Sequence, residues 1–438
     1  MKKERISPRE ANAIISSLTA GVVPRIGLHH INVGREKEVK ALLQDLDIIQ
    51  DNGATFRIIN GDFGSGKSFL LQMIRNYAMD KKFVVMDADL SPERRLTGSK
   101  GQGLATYNEL MKNLSTKARP DGGALESILQ KWIVDIQIQV ASDKGLNPTD
   151  PELTAAVSKR ISEDMLSLSE MVHGFNFVAA LRDYWEGMKT DNDGLKQAAL
   201  RWIRGEFVNK TEAKKQLPVD NIIDDQSWYD FLKLFAVFVR KAGFKGLLVF
   251  LDEGDILCKI PNNQSRDSNY EKLLTIFNDA MQGKASNIGF FMSNTSLLYD
   301  EKRGLYSYEA LKTRLEEGAL EKAGFVNLHS PIIKLQTLSN NELYVLLERL
   351  CVVHGVRYAY NPTLTEDDLT NFLSAKQYKL GADTFMTPRA IIKDFLTALD
   401  ILHQDDSMTM TSLIPSILSR KGRFSERENP DDMYEVDL

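Results

Sequence analysis

The segment at residues 59–70, INGDFGSGKSFL, constrains the fold of this chain more than any other. It holds the pattern Gly-x-x-x-x-Gly-Lys-Ser, which begins at Gly61. The residues before it, ATFRIIN, are β-branched and aromatic as in a buried strand, and KSFLLQMIRNYAMD has apolar residues at helical spacing. The pattern therefore stands between a predicted strand and a predicted helix, which is where a phosphate-binding loop occurs.

A loop of this kind binds phosphate mainly through its backbone. Glycines let several N–H groups turn toward the β- and γ-phosphate oxygens, and the start of the helix adds a favourable dipole. We expect Lys67 to neutralise phosphate charge and the Ser68 hydroxyl to bind Mg²⁺. The predicted cofactors are ATP and Mg²⁺. The predicted nucleotide-binding residues are Gly61, Asp62, Phe63, Gly64, Ser65, Gly66, Lys67, Ser68 and Phe69.

A second apolar run ends in two acidic residues. In GLLVFLDEGDIL, residues 247–251 form a continuous apolar run, which is typical of a parallel strand covered on both faces. Asp252 and Glu253 follow at its carboxyl end, where ligands of open α/β sheets bind. We expect Asp252 to hold Mg²⁺ through water and Glu253 to act as a general base toward an attacking water. The alternative is a pair of acids that only closes a strand, and the apolar run before the pair disfavours it.

A third predicted strand, residues 288–292 of NIGFFMSNTSLLYD, ends in polar residues. An amide at Asn294 can contact both the γ-phosphate and the attacking water, and so act as a sensor of the intact nucleotide. An ordinary turn at a strand end is the alternative. The order of the three motifs resembles that of the AAA+ class of P-loop ATPases, and LDEGDIL resembles the acidic motif of that class.

The resemblance to AAA+ proteins implies two further arginines. In that class an arginine finger commonly follows the sensor strand and enters the site of the neighbouring subunit, where it offsets transition-state charge. Arg314 matches this position best and Arg303 is second, with a solvated helical arginine as the alternative. Pro388 fits the first turn of a later helix. Arg389 then resembles the second sensor arginine of an AAA+ lid, the alternative being a surface arginine.

The strand and helix motifs predict an α/β fold, and the spacing of Lys67 and Asp252 predicts a large helical insertion. The resemblance to AAA+ proteins implies a P-loop parallel sheet with helices on both faces and a C-terminal helical lid. The four tryptophans all fall in the insertion and favour a small local core over a binding surface. The predicted boundaries are residues 1–50 for an N-terminal segment that resembles the adenine-flanking part of origin-recognition-like ATPases, 51–335 for the core, about 108–240 for the insertion, 336–420 for the lid and 421–438 for a mobile tail.

Composition favours the reducing cytoplasm. Two cysteines, Cys258 and Cys351, cannot build a disulfide framework, and MKKERISPRE lacks the apolar core of a signal peptide. No run approaches the roughly 18 apolar residues of a membrane span, so we expect no membrane association. A net charge of −5 disfavours a generally basic nucleic-acid coat and leaves room for a local basic groove. Among the six histidines only the pair His29-His30 is unusual, and one adjacent pair does not make a metal site.

Across nearly its full length the chain resembles the BrxD-type ATP-binding proteins of BREX and related bacteriophage-defence loci. The segments that carry this resemblance are ISPREANAII, GVVPRIGLHHINVGRE, GDFGSGKSFLL, DADLSPERRL, GQGLATYNELM, LRWIRGE and LDEGDIL. The resemblance implies a cytosolic AAA+-like ATPase that works beside other defence components, including helicase-like proteins.

These motifs favour an ATP-hydrolysing motor or loader. It would form a homo-oligomer in which Arg314 completes the neighbouring site, and it would act on DNA or on a DNA-bound helicase partner. The alternative is a nucleotide-gated switch that recruits a defence effector with slow turnover. A phosphotransferase is disfavoured, because Glu253 suits the activation of water and no acceptor-substrate motif is visible.

Overall fold

The computed structural model describes residues 5–147, 150–380 and 387–419. Its contacts divide the chain into two compact units. The sheet unit is Arg35–Gln336, and the helical unit combines Met1–Gly34 with Thr337–Leu438. The tail predicted at residues 421–438 lies outside the described residues.

Within the described residues, the sheet unit contains a parallel sheet in the order β2-β3-β4-β1-β5. The prediction of an α/β fold with a parallel sheet is confirmed. β1 lies between β4 and β5, and β3 lies beside β4, so the carboxyl ends of β1, β3 and β4 are close neighbours along one edge. The strands are β1 (Ala54–Asn60), β2 (Val84–Asp89), β3 (Leu247–Asp252), β4 (Ile288–Asn294) and β5 (Ile332–Lys334).

Both faces of the sheet are covered. Leu247, Val249 and Leu251 on β3 belong to the large apolar core that also contains residues of the insertion. The alternate residues Leu248 and Phe250 point to the opposite face and are buried as well. This two-sided burial is why β3 is a continuous apolar run in the sequence.

Helices account for most of the remaining described chain. In order they are α1 (Pro8–Thr19), α2 (Glu36–Gln50), α3 (Lys67–Asp80), α4 (Gln102–Lys112), α5 (Leu125–Lys144), α6 (Pro151–Asp164), α7 (Leu166–Ser169), α8 (Gly174–Lys189), α9 (Asp193–Ile203), α10 (Lys210–Gln216), α11 (Trp228–Lys241), α12 (Asp255–Cys258), α13 (Asn263–Met281), α14 (Glu309–Leu315), α15 (Ala319–Lys322), α16 (Asn340–Tyr358), α17 (Glu366–Leu380), α18 (Pro388–Gln404) and α19 (Met410–Ser419). Helices α2 and α3 pack on the sheet, as do α4, α11 and α13.

The helices α4 to α11 stand between β2 and β3, in the region where the sequence predicts an insertion. All four of its tryptophans are buried, which agrees with a core role over a binding surface, but they belong to the large apolar core shared with the sheet and form no separate local core. Two of them make edge-to-face contacts with phenylalanines of α11, at centroid distances of 5.2 Å for Trp132 and 5.3 Å for Trp202. The indole N–H groups of Trp202 and Trp228 donate to backbone carbonyls at 2.9 Å.

Two features of the chain differ from the sequence-based expectation. Strand β2 was not predicted. The apolar stretch AGFVNLHSPIIKL at residues 323–335 has the composition of a strand, but only β5 within it is one. Phe325 and Val326 in that stretch are 68% and 64% exposed, so their apolar side chains do not join the sheet.

The first 50 residues also do not behave as one segment. Helix α1 packs against α16 and α18 in the helical unit, whereas α2 packs against β1 and α3 in the sheet unit. The reason is that each helix has its own buried apolar face. On α1 that face includes Ile14 and Ile15, and on α2 it includes Leu42 and Leu46.

A membrane crossing requires a long helix of sustained apolar character. None of the helices described within residues 5–147, 150–380 and 387–419 meets that requirement.

Candidate functional site

The loop at residues 61–66 joins β1 to α3. Gly66 immediately precedes the helix and has a φ of 99°, a left-handed conformation that residues with a Cβ adopt only with strain. Ser65 is 7% exposed, and its Oγ has no hydrogen-bond partner among the described residues. The first N–H groups of a helix also lack intrahelical acceptors. The loop therefore presents a buried hydroxyl and free backbone donors at the start of α3, which suits an anion.

Lys67 is the first residue of α3, and its side chain points back toward the loop. Its Nζ donates to the carbonyl oxygen of Gly61 at 2.7 Å and to that of Asp62 at 3.1 Å. Nζ also lies 5.5 Å from the ring centroid of Phe63, a side chain that is 62% exposed. Burial lowers the pKa of Lys67, and the negative charges of Asp255 and Asp252 oppose that shift. The ammonium group is thus close to the acidic end of β3.

The other predicted loop residues fall into two places. Asp62 and Phe63 are exposed, and Gly64 has a left-handed φ of 78°. Ser68 and Phe69 lie in the first turn of α3 and are partly buried.

Asp252 ends β3, and its carboxylate is held in place by its neighbours. Its Oδ1 accepts a hydrogen bond from Ser293 Oγ on β4 and another from the backbone N–H of Glu253 at 2.9 Å. Glu253 N–H is also 3.2 Å from Ser293 Oγ. These contacts fix the Asp252 carboxylate at the edge of the sheet beside the end of β4.

Glu253 has an unusual backbone conformation. Its φ is 58°, in the left-handed region that glutamate rarely adopts. Backbone strain of this kind is frequent at functional sites. Partial burial raises the pKa of Glu253, and the negative charges of Asp252 and Asp255 add to the shift. A raised pKa moves a carboxylate toward the range that is useful for accepting a proton near neutral pH.

Asn294 is the last residue of β4 and is 1% exposed. Its backbone carbonyl accepts from Gly61 N–H at 3.1 Å, so it lies directly beside the start of the loop. Its Nδ2 is 3.5 Å from Asp255 Oδ1, and its Oδ1 has no hydrogen-bond partner among the described residues. The structure thus brings the predicted sensor side chain to the loop and to the acidic segment after β3.

Comparison of the sequence with models of known protein families identifies the family of this chain. The model of the family described as BREX system ATP-binding protein BrxC/D matches residues 6–417. The chain belongs to this family. Its role is therefore ATP binding in a phage-defence system. No curated protein matches the sequence.

The loop fits the ATP that this BREX family binds. The buried, unpartnered Ser65 Oγ and the cationic Lys67 both suit phosphate oxygens. The groups predicted to hold Mg²⁺ are the Ser68 hydroxyl, directly, and the Asp252 carboxylate, through water, and both offer oxygen atoms of the type that this ion prefers. The residues present are therefore compatible with both groups.

Several polar residues at this edge of the sheet were not predicted from the sequence. Asp255, 3% exposed, accepts from Thr295 N–H at 2.9 Å. Asp89 is in register with Asp252, and partial burial together with the charge of Asp252 raises its pKa. Asp89 lies in DADLSPERRL and Asp255 in LDEGDIL, two of the segments that carry the family resemblance. Their presence in those segments was the sequence signal that could have identified them. Ser293 had a weaker one, as the residue before the predicted sensor.

Arg35 was missed as well. It is 5% exposed and precedes α2. Its Nη2 donates to the carbonyl oxygen of Ser65 at 3.0 Å and to that of Gln336 at 2.7 Å, and its Nη1 is 3.4 Å from Glu38 Oε1. This buried guanidinium ties the phosphate loop to α2 and to the segment that follows β5.

The predicted arginines lie in different surroundings. Arg314 on α14 is exposed and donates to Asn278 Oδ1 at 3.0 Å and to the carbonyl oxygen of Ala310 at 2.8 Å. Arg303 is 3.3 Å from two backbone carbonyl oxygens that follow α12. Arg389 is exposed in the first turn of α18, in the helical unit, where Pro388 occupies the first turn as predicted. The roles of all three arginines stay predictions.

Proposed function

We propose that this chain hydrolyses ATP and works as an oligomeric motor or loader on DNA, or on a DNA-bound helicase partner, during phage defence. The observation that carries this proposal is the convergence of three strand ends. Lys67 begins the helix that follows the loop after β1. Asp252 ends β3 and Glu253 comes next, and Asn294 ends β4. These strand ends lie at one edge of the sheet. Phosphate binding alone does not require a carboxylate such as Glu253 at that edge.

The hydrolytic step needs a base and a stabilised leaving group. Glu253 accepts a proton from water while the water oxygen bonds to the γ-phosphorus. The bond from that phosphorus to the β,γ-bridging oxygen breaks, which gives ADP and phosphate. Lys67 and the loop N–H groups offset charge on the phosphate oxygens. Mg²⁺, held by Ser68 and Asp252, would supply further charge neutralisation.

One observation is also compatible with the alternative, a nucleotide-gated switch. Lys67 Nζ donates to two carbonyl oxygens of its own loop, at Gly61 and Asp62. The ammonium group has three N–H donors, so a phosphate oxygen can take the third or replace one of those carbonyls, and either would change the contacts of the loop. A switch needs such a ligand-dependent rearrangement. A motor needs it as well, and turnover distinguishes the two functions.

The first test is Glu253→Gln. This variant keeps the predicted metal ligand and the loop, so we expect ATP binding close to that of the parent protein. Loss of the base should lower steady-state turnover by about 100-fold or more. Nucleotide affinity is measured with a fluorescent ATP analogue and turnover by phosphate release. The matched control is Glu271→Gln, at an exposed position of α13. Parental turnover in Glu253→Gln would remove Glu253 from the reaction.

The motor and the switch differ in turnover and assembly. Multiple-turnover hydrolysis stimulated by duplex DNA supports the motor. Near-stoichiometric turnover combined with nucleotide-dependent capture of a partner supports the switch. Mass measurement with and without a slowly hydrolysed ATP analogue, repeated with duplex DNA, reports assembly and DNA dependence in the same experiment.

A further inference from the structure

The pair His29-His30 has no part in the proposed hydrolysis, and the structure places a third side chain beside it. Among the described residues, Glu10, His29 and His30 form a group of potential metal ligands in the helical unit. One ligand atom from each lies within 4.8 Å of the others. The two imidazole rings are 3.9 Å apart between centroids.

The backbone of the helical unit brings these residues together. Glu10 is in the first turn of α1, and the two histidines end a short 3₁₀ helix, Leu28–His30. Gly27 precedes that helix with a φ of 76°. A Cβ at Gly27 would lie 2.8 Å from Ile14 Cδ1 and 3.2 Å from Glu10 Cβ. Glycine therefore permits the close approach that sets the histidines against Glu10.

The Glu10 carboxylate is already oriented. Its Oε2 accepts from the backbone N–H of Ser7 at 3.0 Å and from Ser7 Oγ at 2.7 Å. Its Oε1 lies 3.6 Å from His30 Nε2, and the His30 side chain is 7% exposed. Two ligand atoms on one tetrahedral zinc ion stand roughly 3.3 Å apart, because each is about 2.0–2.1 Å from the metal. The observed separation is close to that value, and Ser7 occupies the outer position from which a metal-bound carboxylate is held.

We propose that Glu10, His29 and His30 form a binding site for a divalent transition metal ion of the zinc class. Two imidazole nitrogens and one carboxylate oxygen suit such an ion better than Mg²⁺ or Ca²⁺, which take oxygen ligands. His29 is exposed, so a solvent molecule can take the fourth position. The bound ion joins the start of α1 to the segment at residues 27–30.

The test uses the full-length, tag-free protein after treatment with a chelator. Zn²⁺ is titrated in competition with a chromophoric chelator and without nucleotide. The expected result is one Zn²⁺ per chain, with affinity lower by about 100-fold or more in His29→Ala and in Glu10→Gln. His29 is exposed, so its replacement leaves the packing of α1 in place. His329→Ala, another exposed histidine, is the matched control and keeps parental affinity.

A second measurement separates a metal site from a simple ion pair between His30 and Glu10. Zn²⁺ raises the melting temperature of the parent protein and of His329→Ala, and leaves that of His29→Ala unchanged. Co²⁺ gives the visible absorption of a tetrahedral centre in the parent protein and loses it in His29→Ala. Parental Zn²⁺ affinity in both Glu10→Gln and His29→Ala overturns the proposal. Absence of stoichiometric binding in the parent protein also overturns it and leaves the ion pair as the role of these residues.

Discussion

Arg35 shows how a single buried side chain can set the shape of the nucleotide loop. Its guanidinium donates to two backbone carbonyl oxygens, one at Ser65 in the loop and one at Gln336 after β5. Glu38 provides the neighbouring negative charge. A lysine at this position has a single nitrogen and cannot reproduce the planar fork. Arg35 is therefore a positioning residue, because it acts on ATP through the loop that it holds.

We predict that Arg35→Ala weakens ATP binding by about tenfold to 100-fold. The reason is that hydrogen bonds from a charged donor contribute about 1.5–3 kcal/mol, and about 1.4 kcal/mol corresponds to a tenfold change. Affinity is measured with a fluorescent ATP analogue, and circular dichroism checks the fold. Lys37→Ala, at an exposed position two residues later, is the control. Equal affinities in the two variants would show that the loop holds its shape without Arg35.

At the residue scale, the site residues that could be predicted from the sequence are those that lie in one continuous motif. The loop from Gly61 to Ser68 and the acids Asp252 and Glu253 each occupy a short stretch, so their pattern is readable. Ser293 is different, because its bond to Asp252 joins residues 41 positions apart. The Arg35 contacts to Ser65 and Gln336 span 30 and 301 positions. Such partners depend on strand order, which no local pattern contains.

At the scale of elements, the strands and helices with a continuous buried apolar pattern were the ones predicted correctly. The predicted strand at residues 54–60 and the predicted helix at residues 67–80 coincide with β1 and α3. β2 was missed, and its sequence VVMDAD combines a short apolar run with two aspartates. β5 is only three residues long and lies at the edge of the sheet, so its sequence carries little periodic signal.

A buried ion pair connects β1, α2 and the segment just before β5. Arg57 on β1 donates to both carboxylate oxygens of Asp45 on α2 at 2.7 Å. Its remaining Nη1 donates to the carbonyl oxygens of His329 and Ser330, just before β5. Both side chains are largely removed from solvent, with exposures of 10% for Arg57 and 2% for Asp45. The pair therefore fixes α2 and the approach to β5 against β1.

We predict that Asp45→Ala lowers the free energy of unfolding of the sheet unit by about 3–5 kcal/mol, because it leaves the Arg57 charge buried without its partner. Urea unfolding followed by tryptophan fluorescence suits this measurement, since all four tryptophans are in the sheet unit. Asp47→Ala removes a carboxylate that is 70% exposed and 3.8 Å from Lys81, and should change stability by less than about 1 kcal/mol. Equal transition midpoints for the two variants would contradict the assignment.

At the scale of the whole molecule, the proposed motor requires more than one copy. Arg314 is exposed on α14, and its hydrogen bonds go to Asn278 and Ala310 within its own chain. To serve a neighbouring site, its guanidinium must exchange those acceptors for phosphate oxygens. This exchange is open to an exposed arginine on a short helix.

We predict that Arg314→Ala lowers ATP turnover by about 1000-fold or more, as loss of an arginine finger does. Mixing Arg314→Ala with Lys67→Ala should restore part of the turnover, because the second variant supplies an intact Arg314 to the intact loop of the first. Phosphate release by the mixture is the measurement, and mass analysis verifies that the two variants co-assemble. Arg303→Ala is the comparison variant. Co-assembly without recovery would mean that each chain completes its own site.

The packing of α1 against α16 and α18 has a consequence for how the protein is made. A ribosome releases α1 well before α16 and α18, the helices that cover its apolar face. At roughly 5–20 residues per second, that face waits for tens of seconds without its partners. During this interval the side chains of Ile14 and Ile15 are exposed, where chaperones can bind them and where they can promote aggregation. A chain cut short by a stop codon before α16 would never cover them, so the exposed face of α1 would mark such a chain for protein quality control.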